Sequence, residues 1–235
     1  MYKVLIKRLL DVICSLLALV ILSPLLVILT LANSFIMRGN PFFVQVRPGK
    51  KGKNGQEKLF RLFKFRSMSD AKDKEGNLLP DEKRLNSFGK ILRSTSLDEL
   101  PEIINILKGD MSVIGPRPQL VKDMVFMTEE QRHRHDVRPG LSGLAQVNGR
   151  NSIDWIERIN LDLEYVKHVT LLEDVSLVFK TLVKVILRDG ISEQGMATSM
   201  DYGDFLLHIG RISEQEYNEK QNEANSLLAN FGLSG

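Results

Sequence analysis

Cysteine is almost missing from these 235 residues: Cys14 stands alone, inside an apolar run. A disulfide framework and a Cys/His zinc site are both excluded, which suits a reducing compartment. Aromatic residues make up only 7% and do not interleave with a basic stripe, so no nucleic-acid surface is expected. Neither sign of charge dominates, since 32 Lys and Arg against 29 Asp and Glu leave a formal net charge of +3. There is no Walker loop, no Rossmann glycine fingerprint and no G-x-S-x-G turn. His133 and His135 flank Arg134 on a polar stretch, at a spacing that does not put both on one helix face. Solvated side chains are expected there, not metal ligands. No internal repeat or low-complexity tract breaks the chain.

What the sequence has instead is one long apolar run. No charge falls between Asp11 and Arg38, well beyond the ~18 apolar residues that flag a membrane helix. A secretory signal core would be about 7–15 residues with a small-residue cleavage site, and "ANSFIMRGN" is a poor one. A buried core helix fits less well, because nothing later is apolar enough to wrap it. Ser23-Pro24 sits near the middle of the run. Pro24 cannot donate to the carbonyl of Val20, so a kink is expected, with the Ser23 hydroxyl available to re-satisfy a freed backbone group. Basic residues lie on both flanks: Lys3, Lys7 and Arg8 before, Arg38, Arg47, Lys50, Lys51 and Lys53 after. Since positive flanks stay on the cytoplasmic side, a re-entrant hairpin bent at Pro24 is favoured over a tilted span.

The remaining chain is long enough for one domain with its own core. Three parts are expected: the membrane hairpin over 1–38, a mixed α/β (α+β) globular domain over 39–190, and an accessory loop and helix over 191–235. In the globular part, "PFFVQVRPGKKGKNG" reads as a strand entering a turn and "EKLFRLFKFRSM" as an alternating strand. Residues 70–82 read as a mobile loop. "RLNSFGKILRS" and "LPEIINILKG" read as helices, the second stopped by Gly109. "SVIGPRP" reads as a short strand and rigid turn, "TEEQRHRHDV" as a polar helix, and "RPGLSGLAQVNGRN" as loop. Two amphipathic helices follow, "SIDWIERINLDLEYVKHV" and "LLEDVSLVFKTLVKVILRDG". The second carries an apolar stripe at 175, 178, 179, 182, 183 and 186 beside Lys180, Lys184 and Arg188. It either packs on the core with a solvated basic face or lies on anionic lipid. "ISEQGMATSMDYGDF" looks loop-like. The last helix, with Ser213 and Glu216 in capping-box spacing, is a possible self-association segment, which leaves a homodimer open.

One short stretch, "SLDELPE" at 96–102, pairs Asp98 with Glu99 just before Pro101. Ser96 and Glu99 have capping-box spacing, so an ordinary helix start is one reading. Pro101 complicates it, because the fifth helical residue normally needs its N–H. The surroundings favour chemistry. Lys64, Arg66, Arg93, Arg117, Arg138 and Arg150 recur in short strand and turn contexts, several beside Gly or Pro, where arginine suits bidentate phosphate binding. Two carboxylates among such cations suggest a divalent metal on a phosphate substrate.

"RSTSLDELPEIINILKGDMSVIGPRP", preceded by "KFRSM" and followed by "RPGLSGLAQVNGRN", resembles the bacterial sugar transferases, and more narrowly the small monotopic phosphoglycosyl transferases of the kind that uses a bacillosamine nucleotide. The resemblance runs from the N-terminus to about residue 190. It implies transfer of a sugar 1-phosphate from a UDP-sugar to polyprenyl (undecaprenyl) phosphate, with release of UMP, as the first membrane step of glycan, glycoprotein or polysaccharide synthesis. It implies a Mg²⁺ cofactor, a re-entrant helix broken at Ser23-Pro24, and a catalytic domain on the cytoplasmic face of the inner membrane. Asp98 would be the nucleophile and Glu99 its metal partner. Arg93 would hold phosphate, Arg117 and Pro118 would border the nucleotide, and Lys64 would lie in the phosphate region. Arg66, Arg138 and Arg150 belong to the expected anionic set by their turn context. A catalytically silent, membrane-anchored phosphate-binding or scaffold protein is the alternative.

Overall fold

The computed structural model describes residues 2–149, 153–187 and 200–233. It opens with a π-helical turn, Tyr2–Ile6, that runs into helix α1, Lys7–Ile36. The helix is not interrupted at Pro24. The Ser23 hydroxyl donates to the carbonyl of Val20 at 2.8 Å, the group that Pro24 leaves without its helical partner. Tyr2–Ile36 is long and apolar enough to cross a membrane, yet it is buried against the globular part toward both of its ends. Lys7, Asp11, Ser15, Leu29 and Asn33 are buried, whereas Leu17, Val20, Ile21 and Ile28 are more than half exposed.

The docking bonds are specific. Lys7 Nζ donates to Asp174 at 2.6 Å. Asp11 Oδ1 accepts from the Ser112 hydroxyl and the Val113 N–H, both at 2.9 Å. At the other end, Asn33 Nδ2 donates to the carbonyl of Arg66 at 3.0 Å, and Leu29 packs with Phe65 and Leu92.

An antiparallel hairpin follows, β1 (Phe42–Lys51) and β2 (Glu57–Phe65), in register from Phe42 opposite Phe65 to Pro48 opposite Leu59. Its alternation buries Phe60 and Leu62 on one face, and Phe65 is buried from the other in a separate cluster. Within 70–82, Lys72 bridges Leu78, and a single turn, α2 (Asp81–Arg84), closes the stretch. Helix α3 (Ser87–Ser94) is capped by Asn86, whose side chain accepts from the Gly89 N–H. Gly89 lies so close to the carbonyl of Ser67 that a Cβ there would come within 1.9 Å of it.

Helix α4 (Glu102–Lys108) ends at Gly109, which takes φ 88°, the left-handed conformation that lets the chain turn out. The fully buried side chain of Asn105 ties α4 to β2, accepting from the Phe63 N–H at 3.0 Å and donating to the Arg61 carbonyl at 2.7 Å. "RPGLSGLAQVNGRN" is not simply loop. It holds strand β4 (Gly140–Ser142), parallel to β3 (Ser112–Ile114). Between these strands stand the short helix α5 (Val121–Met124) and a 3₁₀ turn, Gln131–Asp136. Helix α6 (Leu144–Asn148) follows β4. Gly115 and Gly140 pass within backbone contact, where a side chain at either would clash.

Helices α7 (Trp155–Lys167) and α8 (Leu171–Leu187) complete the domain. The apolar stripe of α8 is not core-packed: Leu172, Val175, Phe179 and Leu182 are exposed, while Asp174 and Leu177 face inward. The core therefore sits one position away from the stripe, and the apolar outer face is left uncovered. Arg188 lies outside the described residues.

Much of "ISEQGMATSMDYGDF" is also outside the described residues, but its end forms helix α9 (Tyr202–His208). Helix α10 (Glu214–Leu233) follows, with the Ser213 hydroxyl accepting from the Glu216 N–H. Tyr202, Leu206 and Ala224 from these helices share one core with Val121, Met124, Phe126, Trp155 and Ile159. The tail is packed into the domain, not appended to it.

Candidate functional site

Ser96 does not cap a helix. It takes φ 56° and its side chain makes no capping bond. The reason is Pro101: with no N–H to continue an α-helix, the chain makes a separate 3₁₀ turn, Leu97–Glu99, and α4 begins afresh after the proline. This break presents Asp98 and Glu99 side by side at the wall of a cavity of about 890 Å³.

Glu99 is held by two cations. Its Oε1 accepts from Lys64 Nζ at 2.9 Å and from Arg117 at 2.6 Å. Burial alone would raise this carboxyl, but Arg117 and Lys64 outweigh it and hold Glu99 well below the usual carboxylate range. Lys64 also reaches Glu102 at 3.1 Å. Glu102 is 2% exposed, and burial, with the Glu99 charge adding, pushes it up to about 7 against the pull of Lys64. Glu99 and Arg117 lift each other's charged forms, and the Arg117 guanidinium is pushed above its ordinary value chiefly by Glu99.

Asp98 differs from its neighbour. Its carboxylate makes no hydrogen bond or ion pair with any of the described residues. Burial, and then the Glu99 charge, raise its carboxyl above the ordinary aspartate value, while Lys64, Arg117 and Arg93 pull the other way. It is half-buried and lies among cations.

Lys64, Arg66, Arg93 and Arg117 line the same cavity as Asp98 and Glu99. Lys64 ends β2, and Arg93 reaches it from α3 with its Nε donating to the Ser67 hydroxyl at 2.9 Å. Arg66 pairs with Asp70 at 2.6 Å. Pro118 is buried behind the wall, where its carbonyl accepts from Arg47 at 3.0 Å. Arg138 is not among them. Its Nε donates to the Gly109 carbonyl at 2.7 Å, near Arg8, so it fastens the end of α4 instead of facing the cavity. Arg150 lies outside the described residues. Ser23 and Pro24 lie on the exposed face of α1 and line no part of the cavity.

Several wall residues escape sequence reading. Arg47, Asp123, Gln146, Arg158 and Asp162 all border the cavity, and each sits in a segment whose pattern reads as ordinary strand, loop or helix. His135 is a correction. It is 3% exposed, bonded through Nδ1 to Glu57 at 3.1 Å and pushed down to about 4 by burial. Arg134 beside it is also buried, paired with Asp162 at 2.6 Å and donating to the Arg117 carbonyl at 2.7 Å. Two carboxylates, Glu57 and Asp162, make this burial tolerable, and neither is adjacent in sequence.

No group of three or more His, Cys, Asp or Glu side chains gathers at metal-binding distance among the described residues. Magnesium needs only one or two protein carboxylates when substrate phosphate supplies the rest. Asp98 and the second oxygen of Glu99, Oε2, which takes no hydrogen bond among the described residues, fit that donor set.

A cation-lined cavity holding a carboxylate pair thus sits on a domain that docks both ends of a helix long and apolar enough to cross a membrane. The chain belongs to the bacterial sugar transferase family, whose model matches residues 2–188. It is 42% identical to the uncharacterized sugar transferase EpsL of Bacillus subtilis over 194 residues, covering 82% of this chain and 93% of that one. It is 36% identical to the undecaprenyl-phosphate galactose phosphotransferase of Salmonella typhimurium over 78% of this chain and 41% of the relative. It is 39% identical to the UDP-glucose:undecaprenyl-phosphate glucose-1-phosphate transferase of Klebsiella pneumoniae over 76% and 39%. The chain thus spans nearly all of the Bacillus protein and about two fifths of the other two.

Proposed function

We propose that this protein transfers a sugar 1-phosphate from a UDP-sugar to polyprenyl phosphate, such as undecaprenyl phosphate, at the membrane surface, through a covalent intermediate on Asp98. The observation that carries the reading is the contrast within the acid pair: Glu99 is locked by Lys64 and Arg117, while Asp98, in the same cavity, has no hydrogen-bond or ion-pair partner among the described residues. The names of the Salmonella and Klebsiella relatives supply the substrate class.

In the first step an Asp98 carboxylate oxygen attacks the β-phosphorus of the UDP-sugar. The bond from that phosphorus to the bridging oxygen breaks, and UMP leaves with the electron pair. In the second step a phosphate oxygen of the polyprenyl phosphate attacks the same phosphorus, the Asp98–phosphorus bond breaks, and the carboxylate is restored. Lys64, Arg93 and Arg117 neutralise the phosphate charge through both steps. Glu99, fixed by its two cations, keeps Arg117 aimed at the diphosphate. Bound Mg²⁺ would add Lewis-acid neutralisation of the same oxygens, held by Asp98 and Glu99.

The helix serves the acceptor. Lys7 and Asn33 are 26 residues apart in sequence, about 39 Å along a straight helix, and both dock on one globular domain. A span would carry those two docking points to opposite sides of a ~30 Å hydrocarbon layer. Re-entrant, monotopic seating on the cytoplasmic face of the inner membrane keeps both on one side and presents the outer faces of α1 and α8 to lipid. The test is UMP release by the purified protein with polyprenyl phosphate, Mg²⁺ and a panel of UDP-sugars. Release is expected with at least one donor and is abolished by Asp98→Asn. Retained turnover in that variant excludes the covalent step, and retained UDP-sugar binding with no turnover in the wild type would favour the silent binding protein.

A further inference from the structure

The family-matched region ends at residue 188, yet the cavity does not. Beyond it Asp201 lines one wall, and its neighbours Met200 and Tyr202 bond other residues of that wall. The Met200 carbonyl accepts from Trp155 Nε1 at 2.9 Å. The Tyr202 N–H donates to Asp123 Oδ1 at 2.9 Å, while Asp123 Oδ2 takes the Leu120 N–H at 3.0 Å. Asp201 pairs through Oδ2 with Lys122. Trp155, Asp123 and Asp201 all line the cavity. The strap is seated hard: a Cβ on the next residue, Gly203, would lie 2.4 Å from the Phe126 ring.

This wall mixes acids with cations: Lys122 pairs with Asp201, and Arg158 lies over the Trp155 ring beside Asp123 and Asp162. Asp123 and Asp201 stand on it with Asp162 nearby, and the buried Oδ1 of Asp162 has no partner. The phosphate-binding cations Lys64 and Arg93 come from the opposite elements, β2 and α3. Carboxylate oxygens accept but do not donate, so what these side chains can bind on a donor is its hydroxyl groups. Asp201 is suited to this, because its side chain is still 23% exposed and its Oδ1 takes no hydrogen bond among the described residues.

We propose that the strap 200–202 is the sugar-selecting wall of the donor cavity, with Asp201 accepting hydrogen bonds from hydroxyl groups of the donor's sugar and Met200 and Tyr202 holding Trp155 and Asp123 in place beside it. The inference rests on the UDP-sugar reading above. It makes donor choice a property of a segment outside the region that defines the family.

The full-length protein, as wild type, Asp201→Asn and Trp155→Phe, is assayed for UMP release with UDP-glucose, UDP-galactose and their N-acetylated counterparts. Loss of one charge-assisted hydrogen bond is expected to raise KM for the preferred donor roughly tenfold in Asp201→Asn, more than it lowers kcat. The ratio of kcat/KM between donors should shift, with inhibition by UMP unchanged. Trp155→Phe, which keeps the packing and removes the bond to Met200, should shift the same ratio less. An equal loss for every donor, or a fall in thermal midpoint with unchanged ratios, overturns the proposal and leaves the strap as a prop of the core. Thermal stabilisation by each UDP-sugar relative to UMP is read in parallel. If the wild type releases no UMP with any donor, the activity reading fails; the wall then stands only if sugar-dependent stabilisation is present and is lost in Asp201→Asn.

Discussion

Asp98 and Glu99 are adjacent, chemically similar and oppositely perturbed. The difference lies in which cations touch which oxygen: Lys64 and Arg117 both reach Glu99 Oε1, and neither bonds Asp98. Arg117→Met should leave Glu99 held by Lys64 alone and remove a phosphate contact, lowering UMP release by roughly 10²-fold. Steady-state assays check this, and Arg117→Lys should rescue only part of the loss, because one ammonium does not reproduce the fork of a guanidinium. Glu102 offers a pH test. Its carboxyl sits at about 7 in the fold, above the ordinary 4.5. The folded protein therefore holds an extra proton between those values, and stability falls as pH rises through that window, then levels off. Glu99 has the opposite sign, stabilising above the ordinary glutamate range and losing that contribution as pH falls below it. Thermal midpoints of Glu102→Gln across pH 4.5 to 7 should lack the downward slope seen in the wild type. The acid pair and the four cations that line its cavity could be found in the sequence, because Lys64, Arg66, Arg93 and Arg117 stand in short strand and turn contexts. Glu102 could not, since nothing in "PEIINILK" marks its second residue as the far side of a lysine.

Short elements do the positioning. Helix α4 holds the Glu102 side chain under Lys64 only because Asn105 bridges it to β2 through two backbone groups. Asn105→Ala would strand both in a dry interior, a loss of about 2–4 kcal/mol, visible as a lower unfolding midpoint in detergent together with reduced turnover. Gly89→Ala acts on the other wall. A methyl group there meets the Ser67 carbonyl, so α3 must move away and take Arg93 from its bond to Ser67. The expected result is a raised KM for the UDP-sugar, measured by UMP release. The 3.6-residue and two-residue periodicities located most of these helices and the hairpin. They did not locate β4, which at three residues is too short for alternation to register; β3, equally short, was legible only from the apolar pair and turn of "SVIGPRP". They also could not say that the α8 stripe faces outward, because an apolar face looks the same whether its cover is protein or lipid.

At the scale of the whole molecule, the decisive feature is that one domain grips both ends of its apolar helix. With Cys14 replaced by serine, single cysteines at Leu5 and Phe35, both exposed, should resist labelling by a membrane-impermeant maleimide applied outside intact cells. Both should label after permeabilisation. Labelling of one end alone from outside would establish a span. The sequence by itself determined the apolar run and its flanking charges, the acid pair with the cations that line its cavity, and the family, because these are local patterns of residue type and spacing. Tertiary structure alone decided that Ser96 is a left-handed hinge and not a cap, that Arg138 braces α4 away from the cavity, that His135 is buried against Glu57, and that the tail returns to wall the site. Ser96 answers to the nearby Pro101, but the other three depend on a partner distant in the chain, such as Glu57 for His135 and Asp123 for Tyr202, and no local pattern records which distant group will arrive.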